Sequence, residues 1–108
     1  MNRSRDISLP DEIVELFQRV GVHGITLSSV KGDFGFGSWV FQGNKGTESV
    51  EVFFDSRDRL LIVRCLVDGK WELDSAHPVA ASFAVGLAGD ILLSKLSAGG
   101  QRGENTSI

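Results

Sequence analysis

Residues 47–73, TESVEVFFDSRDRLLIVRCLVDGKWEL, decide the fold through their alternation. Val50, Val52 and Phe54 alternate with Ser49, Glu51 and Asp55, the period of two expected of a half-buried strand. From Leu60 to Val67 every residue except Arg64 is apolar. A run of that kind suits the interior of a sheet, with apolar cover on one face and partial cover on the other. Asp68-Gly69 then matches a tight hairpin turn, whose central residues both take positive φ. The stretch predicts two long strands and a shorter third ending at Leu73, folded back at residues 55–59 and again at 68–69.

Upstream, Ser8-Leu9-Pro10-Asp11 is a helix start, because Ser8 can cap and Pro10 is tolerated in a first turn. Ile13, Val14, Leu16, Phe17 and Val20 share one face of that helix, opposite Asp11, Glu12, Glu15, Gln18 and Arg19, and Gly21 ends it. Val22 to Val30 reads as a first strand and Phe34 to Gln42 as a second, rich in glycine and aromatics. Lys31-Gly32-Asp33 and Gly43-Asn44-Lys45-Gly46 read as the turns around the second strand. Strand follows strand with no intervening helix, so neighbours should pair antiparallel.

Downstream, Asp74-Ser75-Ala76-His77-Pro78 reads as the opening of a second helix reaching about Leu96, with Pro78 in its first turn. Val79, Phe83, Leu87 and Ile91 form one apolar stripe, and Val85, Leu92 and Leu96 form another. Together they span more than the ~100° that covers one sheet face. Part of this helix should therefore be buried in a deep core or against a second copy. Asp90 falls in the sector of Ser82, Gly86 and Gly89 and is expected to reach solvent. The expected architecture is α+β: an antiparallel meander of about five strands with an N-terminal and a C-terminal helix on one face. Residues 7–96 make the domain, residues 1–6 a flexible N-terminus and 97–108 a disordered tail.

Composition removes several classes of function. The chain has 108 residues, enough for one core, and a formal charge of −3. That balance is wrong for nucleic acid, whose binding rests on a basic surface. It gives no attraction to an anionic membrane either. One cysteine, Cys65, excludes an internal disulfide, and no Cys/His set has zinc spacing. The polar residues 1–6 lead into no hydrophobic signal core, so a cytoplasmic location is expected.

Chemical motifs are weak. Gly32 to Gly37 contains Asp-Phe-Gly, but Val40 stands where G-x-G-x-x-G needs its last glycine. The simpler reading is a turn entering a glycine-bearing strand. Cys65 falls within the most apolar strand, where a thiol behaves as a small hydrophobe. His23 and His77 sit at a strand edge and a helix start, with nothing to join either to Cys65. Thr106-Ser107-Ile108 and Asn105-Thr106-Ser107 match a C-terminal recognition peptide and a glycosylation triplet at background level.

No catalytic residue, metal site or cofactor is expected. The expected function is that of a small acidic protein-binding domain that neutralises or escorts a partner, as bacterial immunity proteins and inhibitors do. Its expected contacts are the carboxylates Asp33, Glu48, Glu51, Asp55 and Asp58, facing a basic protein. The alternatives are a dimeric secretion-chaperone-like adaptor pairing through its second helix or a sheet edge, or a small-molecule-binding domain or small enzyme with a pocket near Trp39 and Phe41.

Overall fold

The computed structural model describes residues 11–34 and 37–97, the side chain of Ser97 excepted. Helix α1 (Asp11–Gly21) leads into strands β1 (Thr26–Gly32), β2 (Trp39–Lys45), β3 (Glu48–Asp55), β4 (Leu60–Val67) and β5 (Lys70–Pro78). Helix α2 (Ala81–Leu92) follows and continues as a π-helical turn, Leu93–Ser97. Each strand pairs antiparallel with its sequence neighbour, giving the order β1-β2-β3-β4-β5. This is the expected α+β meander. The expected capping residue Ser8, the flexible residues 1–6, Phe36 and the tail beyond Ser97 lie outside the described residues.

The alternation of β3 works as read. Val50, Val52 and Phe54 face inward and are at most 3% exposed. They pair with Gly43, Phe41 and Trp39 on one side and with Cys65, Val63 and Leu61 on the other. The helices cover this face alone. Ile13, Leu16 and Val20 of α1 join Ala84, Val85, Ala88, Leu92 and Leu96 in a single cluster with the inward strand residues. Among the described residues no polar or charged side chain is buried. Each fully buried Leu or Val here contributes about 1.5–3 kcal/mol relative to exposure. Val14, expected on the buried face of α1, is 42% exposed because it lies about 100° around the wheel from Ile13.

Asp68 (φ 52°) and Gly69 (φ 80°) form the expected turn between β4 and β5. The other boundaries move. β1 begins at Thr26, after a turn in which Gly24 (φ 81°) and the Ile25 N–H to Val20 carbonyl bond close the helix. β2 runs on to Lys45, so the expected four-residue turn shrinks to Gly46-Thr47, with Gly46 at φ 62°. Gly43 is therefore a strand residue, and its missing side chain has a function. A Cβ there would meet Leu92 Cδ2 at 2.8 Å and Leu96 Cδ1 at 3.2 Å, so the end of α2 rests directly on the β2 backbone.

The main correction concerns Asp74 to Pro78. They extend β5 instead of opening a helix, and α2 starts at Ala81 behind Ala80, which has no side-chain capping bond. The proline explains this. A residue before proline is pushed to extended backbone, and proline is tolerated in an edge strand, where its missing N–H costs no ladder bond. β5 is an edge strand.

Candidate functional site

The wide apolar sector of α2 divides in two. Val85, Leu92 and Leu96 enter the core at 5%, 0% and 1% exposure, while Phe83 on the other stripe remains 69% exposed. Phe83 forms one wall of an open groove of about 550 Å³ between α1 and α2. Leu16 and Val85 make its apolar floor, and Glu12 and Glu15 stand along the α1 side.

Two glycines shape this groove. At Gly89 a Cβ would come within 2.8 Å of Leu16 Cδ1, so the glycine lets the helices cross closely. At Gly86, one turn earlier, a Cβ would meet nothing within 4 Å, and the helices have parted. Arg19 Nη2 donates to Asp90 Oδ1 across the crossing, with both side chains largely in solvent as expected for Asp90. That pair neutralises Arg19. Glu12 and Glu15 have no ion-pair partner among the described residues, so the groove is apolar below and negative on its α1 rim.

The carboxylates expected to bind a partner are not brought together. Asp33, Asp55 and Asp58 lie at one end of the sheet, because Gly32 pairs with Trp39 and Trp39 with Phe54. Glu48 pairs with Lys45 at the other end and faces the opposite side of β3 from Glu51 and Asp55. About 23 Å of strand separates Glu48 from Asp55. Asp55 Oδ1 accepts the Arg57 and Asp58 N–H groups at 3.0 and 3.3 Å, shaping the β3–β4 turn. Glu51 is met by Arg64 at 3.5 Å. Trp39 and Phe41 stack at 5.3 Å and are 3% and 0% exposed, so they fill the core where a pocket was an alternative.

A second polar cluster lies between β5 and the end of α2. Lys95 Nζ sits 2.7 Å from Asp74 Oδ2, Ser75 Oγ donates to the same carboxylate at 3.1 Å, and His77 Nε2 is 2.9 Å from Ser75 Oγ. The hydrogen bond from Lys95 holds the Asp74 carboxyl below the usual range. Cys65 is half-buried, less covered than its strand position suggests. Burial, then the Asp74 charge, pushes its thiol up. A nucleophilic thiol needs the opposite shift. In the serine arrangement, the carboxylate holds the hydroxyl instead of orienting the imidazole, so the roles of a triad are not assembled. Among the described residues no group of three His, Cys, Asp or Glu could hold a metal ion, and no helix is long and apolar enough to cross a membrane.

Comparison with protein-family models, with curated proteins and with solved structures finds no match for this chain. The groove residues themselves were visible in the sequence, Glu12 and Glu15 as a solvated helix face and Phe83 as a stripe. Their adjacency was not. The signal available was the excess apolar width of α2 beside Gly86.

Proposed function

We propose that this chain is a protein-binding domain that neutralises or escorts its partner by holding a basic, apolar segment of it in the α1–α2 groove. The observation that carries this reading is the exposed Phe83 facing Glu12 and Glu15 across an apolar floor. An amphipathic segment would lay apolar side chains on Leu16, Val85 and Phe83 and its lysines or arginines against the glutamates, the helix-in-groove mode of recognition. The net charge of −3 adds long-range steering toward a basic partner. The carboxylates Asp33, Asp55 and Asp58, which lie at the same end of the sheet, are a secondary contact region within the same reading.

The test uses fluorescent 18-residue helical peptides, one of lysine and leucine and one of glutamate and leucine. The lysine peptide should bind saturably at one per chain and weaken as salt rises, and the glutamate peptide should not bind. Gly86→Lys, whose Cβ would meet nothing within 4 Å and whose side chain adds a positive charge to the groove wall, and Glu12→Lys/Glu15→Lys should each weaken binding at least tenfold. Equal binding of both peptides, or indifference to these changes, would exclude the groove as the interface. Stronger binding after replacing Arg3 and Arg5 by serine would identify the chain's own N-terminal residues as a competing occupant.

A further inference from the structure

The sheet has a second face, and among the described residues neither helix packs on it. Both helices pack on the side of Val52 and Phe41. On the other side Val40, Phe53, Ile62 and Ala76 form one cross-strand row, and Gln42, Glu51, Arg64 and Leu73 form the next. Leu66 and Trp71 pair beyond them, each 37% exposed, and Leu73 is 69% exposed. The apolar run of β4 called for at least partial cover on this face. Apolar side chains thus flank the polar Gln42–Glu51–Arg64 row on both sides, and exposed apolar surface bordered by polar residues on a small chain marks an interaction site.

We infer that a second copy of this chain covers that face, giving a two-fold dimer of stacked sheets. Charge and geometry single out the copy as the occupant. The chain is acidic, yet the middle of this face carries one acid and one base, Glu51 and Arg64, in adjacent strands. Two copies therefore meet here without net repulsion. A two-fold axis parallel to the strands and passing between β3 and β4 sets Glu51 against Arg64 of the partner subunit. The same axis sets Phe53 against Ile62 of the partner subunit and Val40 against Ala76 of the partner subunit. Each contact occurs twice, as an isologous interface requires. Face-to-face sheets pack in this way with a modest angle between their strands.

The overlap of β2 to β5 measures about 19 by 23 Å. Two copies then cover roughly 900 Å² in planar terms, and interdigitating side chains raise the accessible area above the ~1,000 Å² a specific interface needs. Pairing through the sheet edges is blocked instead. β1 carries a bulge between Ser28 and Lys31 with Ser29 at φ 53°, and β5 carries one opposite Val63/Arg64 and ends in Pro78. Bulges, charges and proline are the devices that keep edges from adding strands. The dimer face lies on the opposite side of the sheet from the α1–α2 groove, so both surfaces can be occupied at once.

The test is sedimentation equilibrium of the full chain from low to high micromolar concentration. The unaltered chain should dimerise. Arg64→Glu and Glu51→Arg should each weaken dimerisation at least tenfold while leaving the far-ultraviolet circular dichroism unchanged. An equimolar mixture of these two variants should regain the dimer, because only the mixed pair restores opposite charges across the axis. Leu73→Lys, at the most exposed apolar position of the face, should also give a monomer. A monomeric unaltered chain, dimers that survive all three changes, or a mixture that fails to reassociate would overturn the inference.

Discussion

Lys95 Nζ lies 2.7 Å from Asp74 Oδ2, fastening the π-helical turn to the bulged residue of the edge strand. The pair lowers the carboxyl's proton affinity in the folded state relative to its ordinary value of 3.8. A group depressed in this way stabilises the fold above its unfolded value, and that contribution is lost as pH falls through the folded value. Urea titrations of the unaltered chain and Lys95→Met should differ at neutral pH and converge as pH drops below about 3.8. Because both side chains are partly in solvent, the difference should be at most about 1 kcal/mol and shrink with salt.

The two glycines of α2 should answer alanine with opposite signs. Gly86→Ala adds a Cβ to open space in an exposed helix position and should raise stability by about 1 kcal/mol. Gly89→Ala must displace buried Leu16, whose Cδ1 would stand 2.8 Å away, and should lower stability by about 1 kcal/mol after the helix gain is subtracted. Thermal unfolding separates them, since each kcal/mol shifts Tm by about 4–8 °C in a domain of this size.

At Gly43 the predicted loss is larger. Leu92 and Leu96 above it are 0% and 1% exposed, and both would have to shift to admit a Cβ. Gly43→Ala should cost about 1–3 kcal/mol from overpacking, in spite of alanine's better backbone entropy. Gly43→Val should cost more. Chemical denaturation of the two variants checks the order, and equal stability of Gly43→Ala and the unaltered chain would mean that α2 can lift off β2.

Cys65 supplies a kinetic test. Its thiol is raised by burial and by Asp74, so at mildly alkaline pH it should react with a thiol reagent more slowly than an unstructured cysteine. Asp74→Asn removes the second cause and should speed the reaction without unfolding the chain. Equal rates in folded and denatured protein would show that the half-buried site offers no protection.

The strand order was legible because each local signal agreed with its neighbours. The period of two in β3, the apolar run of β4 and the Asp68-Gly69 turn all place the same inward row of residues. Asp74 to Pro78 misled because Ser, Asp and Pro mark helix starts as readily as they tolerate an edge strand, and only the pairing of Leu61 with His77 decides between them. The acidic residues misled for a different reason. Charge can be counted along a sequence, but whether carboxylates converge depends on strand parity and hairpin ends, which separate Glu48 from Asp55. The groove needed the relative placement of α1 and α2, a contact between residues 71 positions apart at Arg19 and Asp90.

That separation also orders the folding reaction. Every strand meets only the strand next to it in the chain, so the sheet can zip outward from any one hairpin at little loop-closure cost. The junction of α1 with α2 joins the two ends of the described chain and closes its largest loop, so it should form last. Weakening that junction, as Arg19→Ala or Gly89→Ala does, should accelerate unfolding and leave the refolding rate nearly unchanged.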